Sequence, residues 1–153
     1  MTVFRERLWA APWLYIATAL VIPASILVFA PINMTAGIIV AIVLYAGCVW
    51  MLIAGSPVIE VTATELRAGR ARIERRHLGR ADGFDDSEAT LQRGQKLDAR
   101  AWLLIRGWVK PVVRVEVLDP QDPAPYWLLS TRRPSELART LNDRPGADAP
   151  QSK

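Results

Sequence analysis

From Leu8 to Ile59 the chain carries no Asp, Glu, Lys or Arg, and almost every side chain in between is apolar. A helix of about 20 apolar residues crosses a bilayer, so the run is long enough to cross twice. A helical hairpin of a soluble protein keeps a polar face, and neither half of this run has one. The predicted fold class is therefore an α+β membrane protein: a two-helix transmembrane hairpin followed by a charged, water-soluble domain.

Pro31-Ile32-Asn33-Met34-Thr35 breaks the run near its middle. The flanking spans, 12–30 and 36–54, each reach about 28 Å at a helical rise of about 1.5 Å per residue, close to the hydrocarbon thickness. Pro23 is expected to kink the first span, which a membrane helix tolerates. A cleaved signal peptide fits poorly, because Val28-Phe29-Ala30-Pro31 is not a small-residue cleavage site and a second apolar segment follows at once. The expected organisation is a cytoplasmic N-terminus over 1–11, the hairpin over 12–55, a β-rich cytoplasmic domain over 56–142 and a disordered tail over 143–153.

Orientation follows from charge. Arg5 and Arg7 precede the first span, the connecting loop is uncharged, and Arg67, Arg70, Arg72, Arg75, Arg76 and Arg80 follow the second. The positive-inside rule then places both termini in the cytoplasm of a two-span cell-membrane protein. Trp9, Trp13 and Trp50 fall where membrane-interface anchors are expected, with Tyr15 beside them. The formal net charge is +4, and an anionic leaflet is the nearest acceptor for it, so no nucleic-acid partner is expected. Cys48, the single cysteine, excludes an intrachain disulfide.

After Gly55-Ser56-Pro57 the pattern turns to alternation. Ile59, Val61 and Ala63 share one face of a predicted strand. Further strands are predicted over 65–67, 71–74, 78–84, 102–106, 112–118 and 126–131, while 85–95 reads as either a short helix or a loop. The Asp-Pro-rich stretch 119–125 is a turn that no central strand tolerates. Pro134 and Glu136 open a short amphipathic helix carrying Leu137, Ala138 and Leu141. Short strands closed by one helix predict a small antiparallel β domain, a pleckstrin-homology-like barrel or sandwich; the alternative is an open antiparallel sheet with the helix packed across it.

Three segments carry a resemblance. Phe4-Arg5-Glu6-Arg7-Leu8-Trp9 with Pro12-Trp13, then Arg106-Gly107-Trp108-Val109, then the stretch from Asp119 through Tyr126-Trp127-Leu128-Leu129-Ser130-Thr131-Arg132-Arg133-Pro134 together resemble an actinobacterial membrane-protein family known as domain of unknown function 3093. The resemblance runs to about Leu141. It implies two membrane helices and a cytoplasmic domain, and it brings no activity, cofactor or catalytic residue.

The residues themselves offer little chemistry. His77 is the only histidine, and Cys48 lies at membrane depth. There is no zinc-ligand spacing or phosphate-cradling glycine loop, so neither metal nor cofactor is expected. Asp85, Asp86 and Glu88 read as a solvated helix start rather than a cation site. The expectation is a non-enzymatic, membrane-tethered domain that binds a protein partner or the anionic inner leaflet. The candidate anion or lipid contacts are Arg67, Arg70, Arg72, Arg75, Arg76, Arg132 and Arg133, with Trp108 as a candidate exposed contact. The competing expectation is a structural subunit of a membrane complex that uses the hairpin as its interface.

Overall fold

The computed structural model describes residues 2–143. The chain divides into two compact units, Trp9–Ser56 in one and Met1–Leu8 with Pro57–Lys153 in the other. Residues 144–153, within the stretch expected to be a tail, lie outside the described residues.

The first unit is helical, with α1 (Pro12–Ala19), α2 (Val21–Phe29) and α3 (Met34–Ala54). The break between α1 and α2 falls at Leu20, one turn before Pro23. Proline has no N–H for the carbonyl four residues back. The carbonyl so affected is that of Ala19, and beside it the Leu20 N–H makes a tighter, 3₁₀-type bond to the Ala17 carbonyl at 3.2 Å. Asn33 starts α3 two residues before the sequence-predicted span, its Oδ1 accepting from the Ala36 N–H at 3.2 Å. Ser25, Gly37 and Ala41 are the buried residues of α2 and α3. Gly37 permits the close approach, since a Cβ there would stand 3.1 Å from that of Phe29. α1 and α2 together, and α3, are long and apolar enough to cross a membrane, and only 6% and 11% of these stretches are buried.

The second unit holds two four-stranded sheets. β1 (Thr2–Arg7), β2 (Val58–Thr62), β3 (Glu65–Ala68) and β4 (Ala71–Glu74) form an antiparallel sheet in that order. The two-residue turn between β3 and β4 needs Gly69, whose φ is +62°. After a 3₁₀ turn over Arg75–His77 come β5 (Leu78–Phe84), α4 (Asp86–Arg93), β6 (Trp102–Leu104), β7 (Val112–Val117), β8 (Tyr126–Ser130) and α5 (Pro134–Asn142). The second sheet has the order β5-β7-β8-β6.

Two expectations need correction. The domain is not a closed barrel, because the strands sort into two separate sheets. Nor is it wholly antiparallel: β6 runs parallel to β8, pairing Trp102 with Trp127 and Leu104 with Leu129. β1 is an addition, because the sequence reading gave no element to residues 1–11.

The main core lies between the sheets. Phe4, Ile59, Val61, Leu66 and Ile73 come from the first, and Leu78, Val113, Val115, Trp127 and Leu129 from the second, with Leu137 and Leu141 of α5 closing the cluster. β8 is buried on both faces. Tyr126 and Leu128 point away from the main core into a smaller one with Ala89 of α4 and Val112. This double burial makes β8 a near-continuous apolar run.

Candidate functional site

The three segments that carry the family resemblance meet in space around β1. Glu6 occupies an inward position of that strand and is 8% exposed. Its carboxylate accepts from the Thr131 hydroxyl and, at 2.9 Å, from the Arg132 N–H. The Thr131 Oγ1 in turn accepts from the Arg133 N–H at 3.1 Å. Arg133 donates to the Arg5 carbonyl at 3.0 Å, lies 4.6 Å above the Phe4 ring and pairs with Glu136 at 3.2 Å. The middle segment joins from the other side: the Trp108 Nε1 donates to the Leu8 carbonyl at 3.4 Å, and the Ser130 Oγ accepts from the Arg106 N–H at 3.0 Å. Charge-assisted bonds to a buried carboxylate are among the stronger ones available to a protein. The cluster works as a clamp on the strand that leads into the apolar helices.

The sequence-predicted arginines separate into distinct environments. Arg75 is buried, so it is not a surface contact. Its guanidinium donates to the carbonyls of Thr62, Thr140, Leu141 and Asp143 at 2.6–3.3 Å, closing the C-terminal end of α5. Arg76 pairs with Glu74 at 2.8 Å, and Arg80, outside the candidate set, pairs with Asp82 at the same distance. Arg132 and Arg133 are exposed at the entry to α5, and Arg133 is held by the clamp. Arg67, Arg70 and Arg72 are exposed, and none forms an ion pair among the described residues.

Strand register places these arginines together with residues the sequence reading left apart. Arg5 lies opposite Glu60, Glu60 opposite Arg67, and Arg67 opposite Arg72. The inward residues of the same strands are Phe4, Ile59, Val61, Leu66 and Ile73, so this row occupies the outer face of the first sheet. Arg5 was missed as a member because only pairing across the hairpin brings it to Glu60.

Trp108, the candidate exposed contact, is half-buried and packs on the main core. Trp102 and Trp127 stack with ring centroids 4.4 Å apart. Among the three candidate interface anchors, Trp9 is 46%, Trp13 61% and Trp50 72% exposed. His77 lies 3.6 Å from Asp119 in an open groove of about 380 Å³, shared with Glu65, Arg72, Ile73, Glu74 and Asp122. Among the described residues no group of three His, Cys, Asp or Glu side chains is placed to hold a metal ion.

This arrangement defines a class: a two-sheet domain whose first two strands are separated in sequence by an apolar helical hairpin. The chain belongs to the family described as Protein of unknown function (DUF3093), whose model matches residues 3–141. No curated protein and no solved structure matches it.

Proposed function

We propose that the chain is an integral membrane protein whose hairpin crosses the bilayer twice and whose two-sheet domain is a non-enzymatic binding module held at the cytoplasmic surface. The observation that carries the reading is the pairing of β1 with β2, the strands on either side of the apolar run. Two neighbouring strands of one sheet lie in one compartment, so the run between them crosses an even number of times. Exposure supports the same reading: Ile16, Leu27, Ile39 and Trp50 are each more than half exposed, and an apolar surface of that extent is stable against lipid rather than water. Trp9, Trp13 and Trp50 then serve as interface anchors, and the arginine-rich flanks set the cytoplasmic side.

The module's target, on this reading, is the anionic inner leaflet. A binding role suits a chain whose only histidine is half-buried beside Asp119 and whose only cysteine lies in the hairpin, within α3. The pleckstrin-homology-like comparison rests on element order alone, two sheets followed by a closing helix. A second reading, a structural subunit bound through the hairpin, draws on Gly47 of α3, where a Cβ would meet nothing within 4 Å.

Fluorescent-protein and alkaline phosphatase fusions at each end test the membrane reading. Fluorescence at both ends, with retention of the full chain after alkaline carbonate washing, is the expected result. Phosphatase activity at either end, or release by carbonate, overturns it.

A further inference from the structure

Resting on that membrane reading, we propose that the outer face of the first sheet is a docking surface for the phosphates of anionic lipids in the adjoining leaflet. Arg5, Arg67, Arg70 and Arg72 supply its charge. The row Arg5–Glu60–Arg67–Arg72 crosses four neighbouring strands. With about 4.8 Å between strands, its three guanidinium groups start from backbone positions within roughly 15 Å. Arg70 joins from the turn between β3 and β4.

Two like charges directly opposite one another weaken a strand pair. Arg67 and Arg72 are placed in that way, and neither has an ion-pair partner among the described residues. Glu60 is the only acid within the row, and its Oε1 accepts from the Thr2 hydroxyl at 2.7 Å. Elsewhere on the domain Arg76, Arg80, Arg100 and Arg133 each have a carboxylate partner. Glu65 and Glu74 share the outer face two residues along from Arg67 and Arg72. The guanidinium groups without an ion-pair partner therefore gather toward the other end of the sheet, and their planar fork fits phosphate oxygens in bidentate fashion.

Chain connectivity selects lipid over a soluble anion. β1 ends at Arg7, five residues before α1, and β2 begins at Val58, four after α3. The Gly69 N–H donates to the Val58 carbonyl at 2.8 Å, which keeps the turn carrying Arg70 beside the start of β2. The chain that joins this end of the sheet to the helices is therefore short on both sides of the hairpin. The acidic pair Glu65 and Glu74 lies at the opposite end of the β3–β4 ladder. The gradient runs from basic at the tethered end to acidic at the far one, and tethering raises the effective concentration of headgroups around the basic end.

The test uses the full chain in neutral detergent, titrated with dioleoyl phosphatidylglycerol, dioleoyl phosphatidylcholine or inorganic phosphate and read by native mass spectrometry. Phosphatidylglycerol is expected to bind in preference to phosphatidylcholine. R5Q, R67Q and R72Q are each expected to weaken it by about fivefold, with R67K retaining most of the affinity and R139Q unchanged. A matching loss from R5Q and R67Q identifies one shared face. Equal binding of the two lipids, wild-type affinity in an R67Q/R72Q variant that melts like the parent, or displacement of the lipid by millimolar phosphate overturns the proposal. A chain that resists carbonate but fails this titration keeps the membrane reading and loses only the docking surface.

Discussion

Arg7 and Val58 face one another across an antiparallel strand pair, although the entire apolar hairpin separates them in sequence. The two-sheet domain is thus assembled from chain on both sides of the apolar hairpin. A fragment beginning at Ser56 lacks β1 and with it Phe4 and Leu8, which are 3% and 0% exposed. Such a fragment is expected to lose cooperative unfolding, whereas residues 2–8 joined to it by a short linker restore it; near-ultraviolet circular dichroism during a urea titration distinguishes the two.

Glu6→Ala removes the acceptor for both the Thr131 hydroxyl and the Arg132 N–H. Stranding buried donors of this kind costs about 1–3 kcal/mol each. The full chain in detergent is therefore expected to unfold at clearly lower denaturant, and Glu6→Gln, which keeps an acceptor oxygen, is expected to be milder.

Arg75→Met leaves the carbonyls of Thr140, Leu141 and Asp143 without their guanidinium donor. The expected loss is about 2 kcal/mol. Hydrogen exchange should quicken most over 137–142, where α5 ends, while β7 and β8 stay protected.

Two glycines predict opposite outcomes. A Cβ at Gly83 would stand 2.9 Å from the backbone of Pro134, so Gly83→Ala has to push the start of α5 off its sheet. Overpacking of this sort costs about 1–3 kcal/mol. Gly47→Ala meets open space, and the gain in helix propensity is expected to raise the melting temperature slightly. If Gly47→Ala instead strips co-purifying membrane proteins, the hairpin-interface reading gains.

Asp98 gives a pH dependence. The Arg100 side chain, and then the Arg100 N–H, hold its carboxyl below the ordinary range. A carboxyl with a depressed folded-state pKa contributes stability above its unfolded value of about 3.9 and loses it as pH falls through the lower folded value. Acid titration of the Asp98 carboxyl by NMR should show a midpoint below that of an unstructured Asp, and Arg100→Gln should raise it.

Much of the domain was legible in the sequence because one rule, alternation against a single core, governs it. β2, β3, β4, β5, β7, β8 and α5 appear where the pattern of inward Ile, Val and Leu places them, within a residue or so at their ends. β1 was hidden because the second of its two buried positions is a carboxylate, and a charged residue breaks the apolar period from which a strand is read. The parallel course of β6 was equally invisible, since Trp102-Leu103-Leu104 carries no mark of its partner's direction.

The candidate site was less legible, for a related reason. Arg67, Arg70, Arg72 and Arg75 look alike in a basic run, yet the helix that buries Arg75 arrives from the other end of the domain. Conversely, Arg5 joins Arg67 only through a pairing that no local window contains. Arg132 and Arg133, the candidate anion contacts, lie at a helix entry, where free N–H groups favour anions. The anion that the Arg132 N–H meets is the protein's own Glu6, and the Arg133 N–H donates to the Thr131 hydroxyl oxygen.

The split between β1 and β2 also has a consequence during synthesis. β1 leaves the ribosome first, and its neighbour in the sheet is not made until the two apolar helices have followed. At about 5–20 residues per second that interval lasts roughly 3–10 s. Through it Phe4 and Leu8 have no core to enter, so the apolar helices are complete before the domain closes, and a hairpin that stalls leaves the first strand without a place in any sheet.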